Sequence, residues 1–321
     1  MPTSTSRFPC RERVYLFACA CSVLLAAGSR PMRADETPSE SPAAAPQEST
    51  YRTERNVVYS SPGGDDLLLD AYLPDGDGPH PAILVVHGGA WRSGGKGQLA
   101  GYARTLARRG YAAFAINYRL APKHKFPAQL EDCQAAVRWI RKHAATYRID
   151  PRRVGGVGYS AGGHLVALLG VLSAGSKDDA QTAKAPDEDT SLQAVCAGGA
   201  PCDFRDLPAQ SLALAFWLGG PRVRLPDRYE AASPAAFISE HAPPMFFFHG
   251  SEDDLVPASS PRNMVNALRA LGVPCDLHFV EKAGHIATCF NGPCLTKCCD
   301  FFDEHLRGGT VPPPDAAGSS D

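Results

Sequence analysis

Between Arg152 and Leu169 the chain reads RRVGGVGYSAGGHLVALL, and its centre, Gly158-Tyr159-Ser160-Ala161-Gly162, constrains the backbone more tightly than any other stretch. Residues 154–157 form an apolar run that predicts a strand, and an apolar helix is predicted to start at Ala161. A strand can turn into a helix this sharply only with glycine two places either side of the serine, because side chains at Gly158 and Gly162 would collide with strand and helix. The turn strains the serine backbone and lifts the Ser160 hydroxyl clear of the sheet. The helix then aims its N-terminal amides and the positive end of its dipole at the space beside that hydroxyl. Such a turn is a nucleophile elbow, with a site for a developing oxyanion next to it.

The rest of the chain alternates around this element. Residues 56–60 and 67–73 flank the turn signal Ser61-Pro62-Gly63-Gly64 and predict an antiparallel hairpin. The continuous apolar run PAILVVH, residues 81–87, predicts a central parallel strand covered on both faces. Next come a helix over 98–109, a strand over 112–117, a helix over 127–147, the elbow, and a polar acidic loop over 176–191. Further strands are predicted at 192–197, 244–250 and 275–280, with helices over 261–271 and 293–306. An irregular proline-rich stretch, 201–244, interrupts the alternation and is long enough to form a small lid. Repeated β-α units give an α/β fold, a mostly parallel eight-stranded sheet with helices on both faces. Ligands bind such sheets at the carboxyl ends of the strands, where Ser160 falls.

A serine hydroxyl is a weak nucleophile, so it needs a general base within reach, and the base needs an orienting carboxylate. After residues 245–248 the sequence HGSEDDLVP puts three carboxylates in one loop; Asp253 is the expected partner, and its acidic neighbour Asp254 is the nearest competitor. After the next strand, Glu281-Lys282-Ala283-Gly284-His285 offers His285 as the base, with a glycine freeing the histidine to reach across. The loop HGGAW supplies the expected oxyanion donors, the amides of Gly89 and Ala90, opposite that of Ala161. His164, four residues beyond the serine, reads as a buried helix histidine. A phosphate-cradling role fails for want of GxxxxGK[ST], and no metal ligand set or cofactor motif is expected.

At 321 residues and 44% hydrophobic, the chain can build one large domain. A formal charge of -2, with no basic run among aromatics, argues against a nucleic-acid partner. Arg7, Arg11 and Arg13 precede an apolar run over 14–27 closed by small residues, so residues 1–28 read as a signal peptide, with no stable membrane insertion once it is cleaved. Residues 29–50 and 308–321, rich in Pro, Ser and Ala, read as a disordered linker and tail, which leaves 51–307 as the folded domain. An exported chain can form disulfides, and at least one is expected among Cys289, Cys294, Cys298 and Cys299; the alternative is that they pack as small apolar residues on a helix.

The segments HGGAWRSG, NYRLAPKHKFPAQLEDCQAAVRWI, IDPRRVGGVGYSAGGHLVALL, HGSEDDLVP and KAGHI lie in order over most of residues 80–290. In them the chain resembles the α/β-hydrolase superfamily, specifically esterases and lipases related to hormone-sensitive lipase, and is similar to secreted bacterial carbohydrate esterases that remove acetyl or feruloyl groups. The resemblance implies a triad of Ser160, Asp253 and His285, an oxyanion hole at Gly89, Ala90 and Ala161, and a small-molecule or carbohydrate ester as substrate. Ala90 departs from the usual third glycine, and the cysteine cluster is outside the pattern. A kynurenine-formamidase-like amide hydrolase also carries HGGxW, and a catalytically inactive binding relative is the alternative from a different class.

Overall fold

The structure, a computed structural model, describes residues 50–173 and 189–307. The expected signal peptide, all but the last residue of the linker, the tail and most of the acidic loop lie outside the described residues. Eight strands form one sheet among the described residues: β1 (Tyr51–Ser60), β2 (Leu67–Pro74), β3 (His80–Val86), β4 (Ala112–Ile116), β5 (Ile149–Tyr159), β6 (Ala194–Gly198), β7 (Met245–Gly250) and β8 (Cys275–Val280). Their order is β1-β2-β4-β3-β5-β6-β7-β8. Only the β1–β2 and β2–β4 pairs are antiparallel, β2 alone running against the other strands, so the expected mostly parallel eight-stranded sheet is what the chain forms.

Two of these strands extend beyond their apolar runs. Asn56, at φ 58, opens an irregularity in the β1–β2 register and donates its amide to the buried Asp70, which lets β1 continue back to Tyr51. In β5, pairing of His80 with Ile149 carries the strand five residues ahead of its apolar run.

Alternate residues of one strand feed opposite cores, as the two-residue period of a strand requires. Ala82, Leu84 and Val86 of β3 join the core under helices α2 (Ala128–Lys142), α4 (Ala161–Ser173) and α7 (Ser259–Ala270). Ile83 and Val85 join the core under α1 (Ala100–Arg108) and α9 (Gly292–Arg307). The central strand β5 lies between α4 and α9, and its glycines let both helices approach. A Cβ on Gly155 would meet Phe302 of α9 at 2.9 Å, and one on Gly156 would meet Val166 of α4 at 3.3 Å. Helix α4 is therefore buried on nearly every side, which accounts for its apolar sequence.

Two expectations change. The helix predicted over 127–147 breaks at His143, whose Nδ1 sits 2.8 Å from the Trp139 carbonyl; α2 ends there and a short α3 (Ala144–Tyr147) follows. The expected small lid, 201–244, forms the short helices α5 (Ala215–Leu218) and α6 (Pro226–Ala231), and its Trp217, Leu218, Tyr229 and Ala232 belong to the core. Second, no disulfide forms among the described residues. All eight described cysteines are free and buried. Cys294, Cys298 and Cys299 face the sheet from α9 among Phe301, Phe302 and Cys196, where a thiol fills space as a small apolar group.

Candidate active site

The elbow forms as its glycines require. Ser160 has φ 55, a Cβ on Gly158 would meet the Gly162 carbonyl at 2.3 Å, and one on Gly162 would meet the Val86 carbonyl oxygen at 2.0 Å. Neither contact is possible for a real side chain, and the left-handed serine is the strained position that the turn holds. The Ser160 amide donates to the Gly198 carbonyl (2.7 Å), which pins the turn to β6, and Ser160 itself stays partly exposed.

The loop after β3 passes directly over this turn: a Cβ on Gly88 would lie 3.3 Å from that of Ser160. Gly89, Ala90 and Trp91 follow with φ of 107, 51 and 58. Three successive left-handed residues turn successive amides into one concavity. Among the described residues, the amides of Gly89, Ala90 and Ala161 donate to no protein acceptor. Holding Ala90 and Trp91 left-handed costs roughly 1–2 kcal/mol each, and the surroundings offset it. Trp91 is buried and stacks on Trp217 with ring centres 3.8 Å apart and planes 3° apart. Tyr118 stacks on His87 and donates to its carbonyl (3.1 Å), while Asn117 accepts from the Lys96 amide (2.8 Å) and Lys96 pairs with the buried Asp70 (2.7 Å). The Asn117-Tyr118 pair of the NYRLAP segment is thus the brace of this loop, a role its sequence does not disclose.

The loops after β7 and β8 carry the other two groups. His285 Nδ1 lies 2.6 Å from Asp253 Oδ2, and the Asp253 carboxylate is completely enclosed. Its other oxygen accepts from the amides of Leu255 (3.0 Å) and Val256 (2.9 Å). Burial alone pushes the Asp253 carboxyl up, but the His285 and Val256 hydrogen bonds outweigh it and hold it below the usual carboxylate range. Asp254, by contrast, is exposed. With its Nδ1 proton directed at a carboxylate, neutral His285 keeps a lone pair on Nε2 and can accept a proton there. Among the described residues no hydrogen bond joins Ser160 Oγ to His285; contacts of this kind tighten when substrate binds.

One local detail differs from expectation. Gly284 is extended at φ -80 and needs no glycine for its conformation; the left-handed residue in that loop is Lys282, at φ 57. His285 instead opens a short helix, α8 (His285–Cys289). Two contacts at the site escaped the sequence reading. His249 is buried on β7 with Nε2 2.9 Å from the Val256 carbonyl and 3.3 Å from Asp253 Oδ2, which braces the carboxylate from the strand side. Tyr159, next to the serine, donates its hydroxyl to the His285 carbonyl.

His164 lies one turn beyond Ser160 and is fully buried, accepting from Trp91 Nε1 (3.2 Å) and donating to the Ala232 carbonyl (2.7 Å). Burial lowers its pKa to about 4, so it stays neutral at ordinary pH.

The BD-FAE family model matches residues 69–268. The chain is 33% identical over 239 residues to Esterase LipC of Mycobacterium tuberculosis, covering 69% of this chain and 56% of that protein. The chain spans about half the length of the curated relatives it matches. Among solved structures it is similar to a truncated carbohydrate esterase from gut microbiota, with a TM-score of 0.70 and 27% identity over 82% of this chain and 99% of that one. It is also similar to esterase Est2 of the planctomycete Thermogutta terrifontis, with a TM-score of 0.66 and 27% identity over 84% and 96%.

Proposed function

Since the chain belongs to the BD-FAE family, we propose that it is a carboxylic ester hydrolase working through Ser160, His285 and Asp253, with short acyl or feruloyl esters of carbohydrate as its substrates. The observation that carries the reading is the 2.6 Å contact of His285 Nδ1 with an enclosed Asp253, close to a left-handed Ser160 on a glycine-flanked turn. Ser160 Oγ attacks the ester carbonyl as His285 Nε2 takes its proton. The carbonyl oxygen becomes anionic and is held by the amides of Gly89, Ala90 and Ala161. Collapse expels the alcohol, protonated by His285, and leaves an acyl-Ser160 that water hydrolyses by the reverse proton route. Asp253 keeps His285 in the required tautomer and stabilises the imidazolium that forms.

A carbohydrate ester is favoured by the likeness to the gut-microbiota carbohydrate esterase, and export by the Arg-flanked apolar run over 14–27. Turnover on acetylated xylan, methyl ferulate and short p-nitrophenyl esters tests the reading. Wild-type enzyme is expected to release acetate or ferulate, and Ser160→Ala to release neither. Hydrolysis of N-formyl amides in preference to every ester would overturn it.

A further inference from the structure

Ser160 and His285 are 125 positions apart in sequence and belong to different strand ends, β5 and β8, with β6 and β7 between them. One side chain crosses that gap. The Tyr159 hydroxyl donates to the backbone carbonyl of His285, and the tyrosine ring centre lies 5.2 Å from the imidazole. Tyr159 is also the residue immediately before the serine, and its strand position pairs with Gly198 of β6.

The end of β6 is empty where this ring passes over it. A Cβ on Gly198 would come within 2.6 Å of the Tyr159 ring and 2.2 Å of Phe248. A Cβ on Gly199 would fall 2.9 Å from the Tyr159 hydroxyl and 3.0 Å from His285 Cε1. The pair Gly198-Gly199 therefore clears a corridor through which the nucleophile's neighbour reaches the base. Burial pushes the Tyr159 phenol up, so it donates as a neutral hydroxyl at any working pH. The bond holds the backbone at the first residue of α8, a helix only five residues long, while the contact with Asp253 orients the imidazole itself.

We infer that Tyr159 is a positioning residue for ester hydrolysis, setting the distance between Ser160 and His285 by tying the backbone of the base to the strand of the nucleophile through the Gly198-Gly199 corridor. This rests on the Ser160–His285 reading above. A misplacement of about 1 Å at a reacting pair can cost about 10²-fold in rate, so losing the tether is expected to act on kcat and spare KM.

The test is a double-mutant cycle on purified full chain with p-nitrophenyl acetate as substrate, active sites being counted by fluorophosphonate labelling where His285 is present and by protein concentration in the His285→Ala background. Tyr159→Phe, which keeps the ring, is expected to lower kcat per labelled site about 10- to 100-fold with KM unchanged. In a His285→Ala background the same change should alter the residual rate less than two-fold, because no base remains to be positioned. Gly199→Ala, which intrudes on both partners, should match Tyr159→Phe in direction. If Tyr159→Phe leaves kcat within two-fold of wild type, or lowers it equally in the His285→Ala background, the inference fails while the triad stands. If His285→Ala itself leaves turnover intact, the underlying mechanism fails first.

Discussion

Two histidines flank the elbow, and they occupy opposite kinds of environment. His164 sits in an aromatic box, with the rings of Trp91, Trp217 and Phe204 all within 5.4 Å of its own, and both ring nitrogens are committed to neutral partners. His285 sits at the loop ends with one nitrogen on a carboxylate. A histidine needs a free lone pair and a partner that welcomes positive charge to exchange protons, and only His285 has both. His164 would have to place a new N–H against the indole N–H of Trp91 to become charged. Proximity to Ser160 in sequence is thus a poor guide to chemistry; the partners decide it.

The sharpest way to break this contrast is to remove each ring in turn. His285→Ala is expected to lower kcat by about 10⁵- to 10⁶-fold with little change in unfolding free energy, as for other bases that act as a unit with their nucleophile. Burst kinetics and urea titration on the same samples read both quantities. Asp253→Asn should cost about 10⁴-fold through the wrong histidine tautomer, whereas Asp254→Asn should change kcat less than about two-fold. A reversed order would move the carboxylate role to Asp254.

His164→Leu should do the opposite of His285→Ala. It leaves Trp91 Nε1 and the Ala232 carbonyl without partners in a dry core, a loss of roughly 2–4 kcal/mol of stability. Since Trp91 anchors the loop of Gly89 and Ala90, kcat per active site should fall by about ten-fold at most. Acid sharpens the same point. Burial lowers both His87 and His164 to about 4, while an unfolded chain takes up those protons near pH 6.5. Stability from these rings is complete above pH 6.5 and declines as the pH falls through 4. Between pH 7.5 and pH 5 each should cost roughly 2 kcal/mol, and His164→Leu should flatten that slope by its own share.

What was legible in the sequence follows from how local each constraint is. The elbow was readable because the clashes of Gly158 and Gly162 are with residues a few positions away or on the adjoining strand. The contact of Asp253 with His285 was foreseeable because each follows closely on a strand end, β7 and β8. The tie from Tyr159 to His285 and the brace from His249 to Asp253 were not, since both depend on which loops the strand order brings together. The cysteines misled for a related reason. Their density on one segment suggested mutual pairing, but Cys294, Cys298 and Cys299 share the face that α9 turns to the sheet, where Phe302, Leu306 and Gly155 set the packing. Lys282 was missed because its effect is a single backbone angle, and His143 because its ring reaches back to a carbonyl of its own helix.

We propose that Ser160 is the group activated by His285 and Asp253. Mass spectrometry of peptides after brief labelling with a fluorophosphonate tests it most directly, because the reagent bonds only to an activated hydroxyl. The expected result is one adduct, on the peptide containing Ser160, absent from Ser160→Ala and formed at least about 10³-fold more slowly in His285→Ala. A stoichiometric adduct on any other residue, or labelling of Ser160 at an undiminished rate in His285→Ala, would contradict it.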